Sequence, residues 1–446
     1  MRPTDALLHP GDWGTTTVGK GVEVKRGVSW SKDQEHAHPR DDRVPVIRIG
    51  NVQRRLKLDD LMYLSDLKPA VVKNKRVTSG WAVLVGSNGN RARVGNAVLV
   101  RTDADFLFAS FLIGAKPKAD SGLSPEYFYR WLSSEQVQAY LSSSSEGTTG
   151  LNNLSHSFFK AMAIPVPPPG EQAAIARILD AVDLVLERSR TAVERARALR
   201  ACILADLLSH GVDKDGKVRL DDATDGEFVV TPLGMLPSAW RLSTVEREFN
   251  LQNGFTLNPD RRPRFKRRRY LRVANVQRDA LSLTDVQELE AGDAEFAPRE
   301  LAPGDLLVVE GHADRMEIGR CARVNEHAAG MTFQNHLFRL RTKGRAEPAF
   351  ASLWLNSAYA QRYWNARCAT SSGLNTINQR TLKRLVIPLP SKPEQQSIAS
   401  IVDQQRQHLD ALIAKQVKVE ALKSSLMHDL ITGRVRITNE IEAVVS

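Results

Sequence analysis

The chain has little cysteine, no long apolar run and no complete phosphate loop, and each shortage removes a class of protein. Its three cysteines, Cys202, Cys321 and Cys368, are odd in number, scattered, and not spaced as metal ligands. Neither a disulfide framework nor a zinc site fits them, and a reducing cytoplasm is the expected compartment. No stretch approaches the roughly 18 apolar residues needed to cross a bilayer. The start, MRPTDALLHPGDW, has no apolar h-region of a signal peptide. No membrane partner is expected.

Catalytic signatures are missing as well. GTTTVGK at 14–20 begins like a phosphate-binding loop, but Gly21 stands where a magnesium-holding hydroxyl is needed. EHAHPRDD at 35–42 gathers His36, His38, Asp41 and Asp42 in a polar, proline-containing stretch with no frame to fix metal geometry. A solvated loop is the expectation there, and no metal ligand is assigned. No glycine-rich dinucleotide fingerprint follows a strand, and no Asn/Asp-Pro-Pro-aromatic tetrad of an amino-methyltransferase occurs. No catalytic residue is assigned. The chain reads as a binding protein.

What is present is positive charge and repetition. The net charge of +11 favours a polyanionic partner, nucleic acid before membrane. RRPRFKRRRY at 261–270 packs Arg261, Arg262, Arg264, Lys266, Arg267, Arg268 and Arg269 together without an acid in the run. Its proline opposes a helix. A loop meeting phosphates would relieve the repulsion among those charges, and Phe265 and Tyr270 could touch sugars or bases.

IPVPPPGEQAAIARILDAVD at 164–183 returns as IPLPSKPEQQSIASIVDQQR at 387–406, an offset of 223 in a chain of 446. GLNNL at 150–154 matches GLNTI at 373–377 at the same offset, and RIGNVQ at 48–53 becomes RVANVQ at 272–277 at 224. Trp13 and Gly27 match Trp240 and Gly254 at 227. A period this long marks duplication of a domain with its connector, not a solenoid. Between the anchors the copies are dissimilar.

Each copy opens with β-rich runs, turns and one or two helices, then passes into a long helix. One helical seam carries Ile175, Leu179, Val182, Leu186, Ser189, Val193, Ala196, Arg200, Ile203 and Leu207. The other carries Ile398, Val402, Gln405, Leu409, Leu412, Gln416, Val419, Lys423, Leu426 and Leu430. That three-four spacing is a heptad seam, and each stripe's obvious partner is its own duplicate. Ser391 and Glu394 fit a capping box, and Gly211 and Gly433 follow the last apolar turns. The domains predicted are 1–163 and 212–386, with helical regions at 164–211 and 387–446.

With the duplication, the Pro-x-x-Pro/Gly-Glu-Gln lead-in to each long helix, and DLITG closing the second, the chain resembles the specificity subunit of a type I restriction–modification system. The resemblance covers essentially the whole sequence. It implies an α+β fold, with two α/β target-recognition domains separated by two long helices packed as an antiparallel coiled coil. The tandem repeat then becomes a pseudo-twofold pair. It also implies double-stranded DNA as ligand, each domain reading one half of a split target in the major groove while the helices set the spacer. The implied partners are two modification subunits, which use S-adenosylmethionine, and restriction (motor-endonuclease) subunits, which use ATP and Mg. No cofactor is expected on this chain.

Matched loops supply the candidate DNA contacts. Asn88, Asn90, Arg91 and Arg93 stand opposite His312, Arg315 and Arg320 after equivalent strands. The Gly-Leu-Asn loops add Thr148, Thr149, Asn152 and Asn153, then Ser371, Ser372, Asn375 and Thr376. Asn and Arg read adenine and guanine edges, while other basic residues grip phosphate. Because Gly-Leu-Asn recurs where targets should differ, phosphate or scaffold contact outranks base readout there. Two other classes stay open: a self-sufficient DNA enzyme, which the missing motifs oppose, and a coiled-coil scaffold that never touches DNA, which the charge opposes.

Overall fold

The computed structural model describes residues 10–102, 105–148, 150–219, 227–371 and 373–437. The chain divides into two compact units, Met1–Thr191 with Ile413–Ser446, and Ala192–Leu412. Each long helix, Pro169–His210 and Lys392–Ile431, therefore contributes one half to each unit.

The first unit is built on a four-stranded antiparallel sheet in the order Val22–Arg26, Leu112–Pro117, Ala82–Val85, Ala97–Leu99. The second repeats it as Phe249–Asn253, Leu337–Thr342, Leu306–Val309, Cys321–Arg323. Alternation along a strand sends successive side chains to opposite faces. Ala82 and Leu84 therefore join the core shared with the helices, while Val83 and Val85 join a second core on the other face. In the second unit Leu306 and Val308 divide from Leu307 and Val309 in the same way. Buried on both faces, these strands read as continuous apolar runs.

Gly27 and Gly254 end the first strand of each sheet where another backbone passes. A Cβ on Gly27 would overlap the carbonyls of Phe108 and Ala109, and one on Gly254 those of Phe333 and Gln334. Each unit carries two short consecutive helices, Pro125–Leu132 with Glu135–Ser143 and Pro348–Leu355 with Ala358–Arg367. GTTTVGK forms a strand, Gly14–Thr17, and a single turn, Val18–Gly21, rather than a phosphate loop. That strand pairs with Ala163–Val166, the domain's last strand, as Arg241–Thr244 pairs with Val386–Leu389. In each unit the domain's last strand is thus paired immediately before a long helix begins.

None of the twenty seam residues is exposed. Within the first unit Ile175 and Leu179 share a core with Met427, Leu430 and Ile431; within the second Leu207 and Leu208 share one with Ile398 and Val402. The start of one helix therefore lies against the end of the other, an antiparallel pairing in each unit. Lys423, a polar seam residue, reaches Asp183 at 2.7 Å, and Arg190 reaches Glu420 at 2.7 Å.

The repeated Glu-Gln has a structural reason. Gln172 accepts from the Ser124 N–H at 2.8 Å and donates to the carbonyls of Gly122 and Pro167. Gln395 accepts from the Glu347 N–H at 2.7 Å and donates to those of Arg345 and Pro390. Ser124 and Glu347 cap equivalent helices, so each glutamine pins the long helix to its domain. Glu171 accepts from the Trp13 indole at 3.0 Å and from Arg436 at 2.9 Å; Glu394 accepts from the Trp240 indole at 3.1 Å and from Arg219 at 2.6 Å.

The expected capping box is consequently only half present. Ser391 caps the Glu394 N–H at 3.4 Å, but the Glu394 carboxylate turns away to Trp240 and Arg219. Gly211 and Gly433, both at φ +66°, adopt the left-handed turn that ends a helix and feeds the chain toward those arginines.

Candidate nucleic-acid interface

Two sequence features far apart in the chain meet in each unit. The strand Leu151–Asn153 pairs with Glu146–Thr148 on one side and with Ser87–Asn88 on the other, placing Asn152 opposite Asn88. In the second unit Leu374–Thr376 pairs with Ala369–Ser371 and with Gly311–His312, placing Asn375 opposite His312. The Gly-Leu-Asn hairpin and the polar loop after the central strand thus form one small sheet.

The asparagine of that hairpin acts as a brace. Asn152 Nδ2 donates to the carbonyls of Asn88 at 3.3 Å and Gly89 at 3.1 Å. Asn375 Nδ2 donates to those of His312 at 3.4 Å and Ala313 at 2.8 Å, and its Oδ1 accepts from Thr370 at 2.8 Å. The loop then folds on itself identically in both units. Asn88 Oδ1 accepts from the Asn90 N–H, and Asn90 Oδ1 from Ala92; His312 Nδ1 accepts from the Asp314 N–H, and Asp314 from Met316.

Several candidate arginines are engaged within the fold. Arg91 donates to the carbonyls of Ser142, at 2.8 Å, and Ser143, and Arg315 donates to Asn365, so each ties its loop to the end of the neighbouring helix. Arg93 reaches the Val52 carbonyl at 3.4 Å. Arg320 is buried, donating to Glu317 and the Val273 carbonyl, both at 2.8 Å. Asn90 and Asn153 are exposed; Asn88, His312 and Thr376 are half-buried. Thr148 and Ser371 lie on the hairpin strands, while Thr149 and Ser372 lie outside the described residues.

The arginine-rich segment is a braced hairpin arm leading into the strand Arg267–Leu271. The repulsion within it is relieved largely by acids of the facing segment. Arg261 forms a two-bond fork with Glu295 at 2.8 and 2.9 Å; Lys266 and Arg268 share Asp293 at 2.6 and 2.5 Å; Arg267 faces Glu288 at 3.8 Å. Glu290 accepts from the backbone N–H groups of Arg264, Phe265 and Lys266 at 2.7, 3.0 and 2.7 Å, and these bonds hold its pKa below the ordinary carboxylate value. Arg262, Arg264 and Arg269 remain exposed, with no ion pair among the described residues. The acid-rich DVQELEAGDAE at 285–295 was the available signal for this neutralisation, and charge counting within the basic run alone passes over it.

Sequence reasoning also passed over a pair at the foot of the second loop. Glu310 and His336 lie 3.3 Å apart, where the first unit has Gly86 and Phe111 joined by the same backbone bond. Burial foremost raises the Glu310 pKa, with His336 opposing.

This arrangement is two copies of one braced, basic, side-chain-bearing platform, each fixed to a helix pair. The sequence model for the type I restriction modification DNA specificity domain matches residues 10–195 and 303–421. The chain belongs to that family of DNA specificity proteins. It is 24% identical over 437 residues to the type I restriction enzyme StySPI specificity subunit of Salmonella potsdam, covering 96% of this chain and 90% of the relative. The EcoKI specificity subunit of Escherichia coli K12 is 23% identical over 448 residues, with the same coverage of 96% and 90%. The fold matches the S subunit of a type I restriction–modification system from M. genitalium with a TM-score of 0.55 at 17% identity, covering 96% and 98% of the two chains. A chain from a structure of type I restriction–modification complex assembly and conformational transition matches with a TM-score of 0.59 at 16% identity, over 96% and 99%. No helix among the described residues is long and apolar enough to cross a membrane.

Proposed function

We propose that each unit reads one half of a bipartite, asymmetric DNA target, and that the helices set the spacer and dock two modification subunits. Restriction subunits join the same assembly. The observation that carries this reading is one loop frame built twice from matching hydrogen bonds, bearing Asn88 and Asn90 in one unit and His312 and Asp314 in the other. An identical frame with different side chains suits two different half-sites.

The candidate contacts divide into three groups by physical role. Asn88, Asn90, Asn153, His312 and Thr376 are our candidates for base edges. Arg262, Arg264 and Arg269 grip phosphate. Asn152, Asn375 and Arg320 hold the platform. No catalytic residue is proposed on this chain; adenine methylation with S-adenosylmethionine, and ATP- and Mg-dependent motor and cleavage chemistry, reside on partner subunits.

Co-expression with a cognate modification subunit, followed by genome-wide mapping of methylated adenines, tests the reading. One bipartite sequence with two dissimilar halves is expected. A competent partner that methylates nothing in the presence of this chain would overturn it, and retention on DNA without a steep salt slope would favour the scaffold alternative.

A further inference from the structure

Phe265 is the most exposed large apolar side chain among the described residues, at 93%. A lone apolar residue on a surface is ordinarily unremarkable, but this one is held in place. Glu290 fixes its backbone and both neighbours through three N–H bonds of 2.7–3.0 Å. Other rings of the same hairpin region are shielded: Arg261 and Arg299 each lie 4.9 Å from the Phe255 ring, and Arg268 lies 4.3 Å from Phe296. No cation or ring covers Phe265 among the described residues. On either side stand Arg262, Arg264 and Arg269, exposed arginines that form no side-chain ion pair among the described residues, although the Arg264 charge also acts on Glu290.

A ring set among exposed guanidinium groups is a poor match for an apolar protein groove, which would have to desolvate those charges. It matches a duplex, where phosphates meet the arginines and base faces meet the ring. Resting on the reading of the chain as a DNA specificity subunit, we infer that Phe265 is a wedge. It enters a base step in or beside the half-site read by the second unit, while Arg262, Arg264 and Arg269 hold the flanking phosphates. At the matched position the first unit carries Asp41 instead of a ring, so the target is distorted on one side only. Apolar wedges unstack a step at a cost offset by the contacts the distortion permits.

The test uses the full chain assembled with its modification subunits, on a duplex carrying the target found by methylation mapping. 2-Aminopurine replaces each adenine of the target in turn. Wild type should show a fluorescence rise at one step of one half-site. Phe265→Ala should abolish that rise and weaken binding about tenfold, leaving the slope of log affinity against log salt unchanged because no phosphate contact is lost. Phe265→Trp should keep both. Wild-type affinity and an unchanged fluorescence profile in Phe265→Ala would overturn the wedge. So would loss of modification subunit on size exclusion with DNA binding intact, which would assign the ring to a protein contact. A chain that directs no methylation fails earlier, at the functional reading itself.

Discussion

In the first unit a charged latch joins domain to helix: buried Arg130 reaches Asp183 at 2.5 Å and also Asp180, which Arg101 grips at 2.8 and 3.0 Å. At the matched place in the second unit stands Leu353, inside an apolar core with Trp354, Leu385 and Val402. The Trp–Glu–Arg and Gln clamps beside these junctions are the same in both units. What repeats, then, is whatever satisfies buried polar groups at the helix start. What varies is the filling between domain and helix, and the loops turned outward. Duplication constrains hydrogen-bonded joints more tightly than packing, because a buried donor left without its acceptor costs more than one apolar filling exchanged for another.

The largest effect should come from breaking the shared clamp. Glu394→Ala strands the Trp240 indole, Arg219 and the Val212 N–H, and should cost about 5 kcal/mol in the second unit's transition during denaturant unfolding. Glu171→Ala should do the same to the first. Burial works against the Glu171 carboxylate, but Arg436, the Ile437 N–H and Trp13 outweigh it and set its pKa below the ordinary 4.5. Its stabilisation is therefore complete above that value and is lost as pH falls through the lowered one. Glu171→Gln should flatten the acid limb of the first transition and leave the second unmoved.

Next is the junction that differs. Arg130→Leu copies the second unit's residue into the first but leaves Asp180 and Asp183 behind. It should cost on the order of 3 kcal/mol, confined to the first transition. Burial disfavours the Asp183 charge, yet Lys423 and Arg130 keep its pKa below the ordinary carboxylate value, so Lys423 should retain part of the latch. An unchanged first transition would show that the charges are decorative and the packing sufficient.

On DNA, the second unit's arginine arm should split in two. Replacing Arg262, Arg264 or Arg269 with Ala should each lower the salt slope by about 0.9. Lys266→Ala and Arg268→Ala should change it less, since Asp293 already neutralises them. Equal slopes for both sets would erase the distinction between paired and uncommitted cations.

The duplication and the heptad seam each left a sequence trace, because they rest on period and apolar spacing; the antiparallel order came only with the family resemblance, and the pairing of polar loop with Gly-Leu-Asn hairpin depends on strand register that no local pattern shows. The capping box misread Glu394, since a carboxylate at the third helical position is legible but Trp240, 154 residues away, is not. The arginine run leaves its neutralising acids out of view for a related reason: Glu288 and Glu290 lie on a strand paired with Arg267–Tyr270, and Asp293 and Glu295 on the short helix that follows it. Local pattern shows which charges exist; only register shows which are already neutralised.

The smallest predicted effect concerns a charge reversal at one matched domain position, Arg55 against Asp279, whose helix partners are not counterparts of each other. In the first unit Arg55 on the domain pairs with Glu187 of the helix; in the second, Asp279 on the domain faces Arg200 of the helix at 3.9 Å. The second pairing is the worse one. Burial foremost raises the Asp279 pKa above its ordinary 3.8, and nearby Asp403 adds to it, against the opposing pull of Ser352, Arg200 and Arg323. An acid whose folded pKa is raised subtracts stability above its unfolded value, and the penalty fades as pH falls toward that value. Asp279 also sits at φ +60°, a conformation asparagine tolerates. Asp279→Asn keeps an acceptor for Ser352 and removes the buried charge, so it should raise the second transition by about 2 °C at pH 7. The gain should shrink as pH approaches 3.8. A lower melting temperature at pH 7 would mean that Arg200 outweighs burial, and that both units rely on a domain-to-helix ion pair after all.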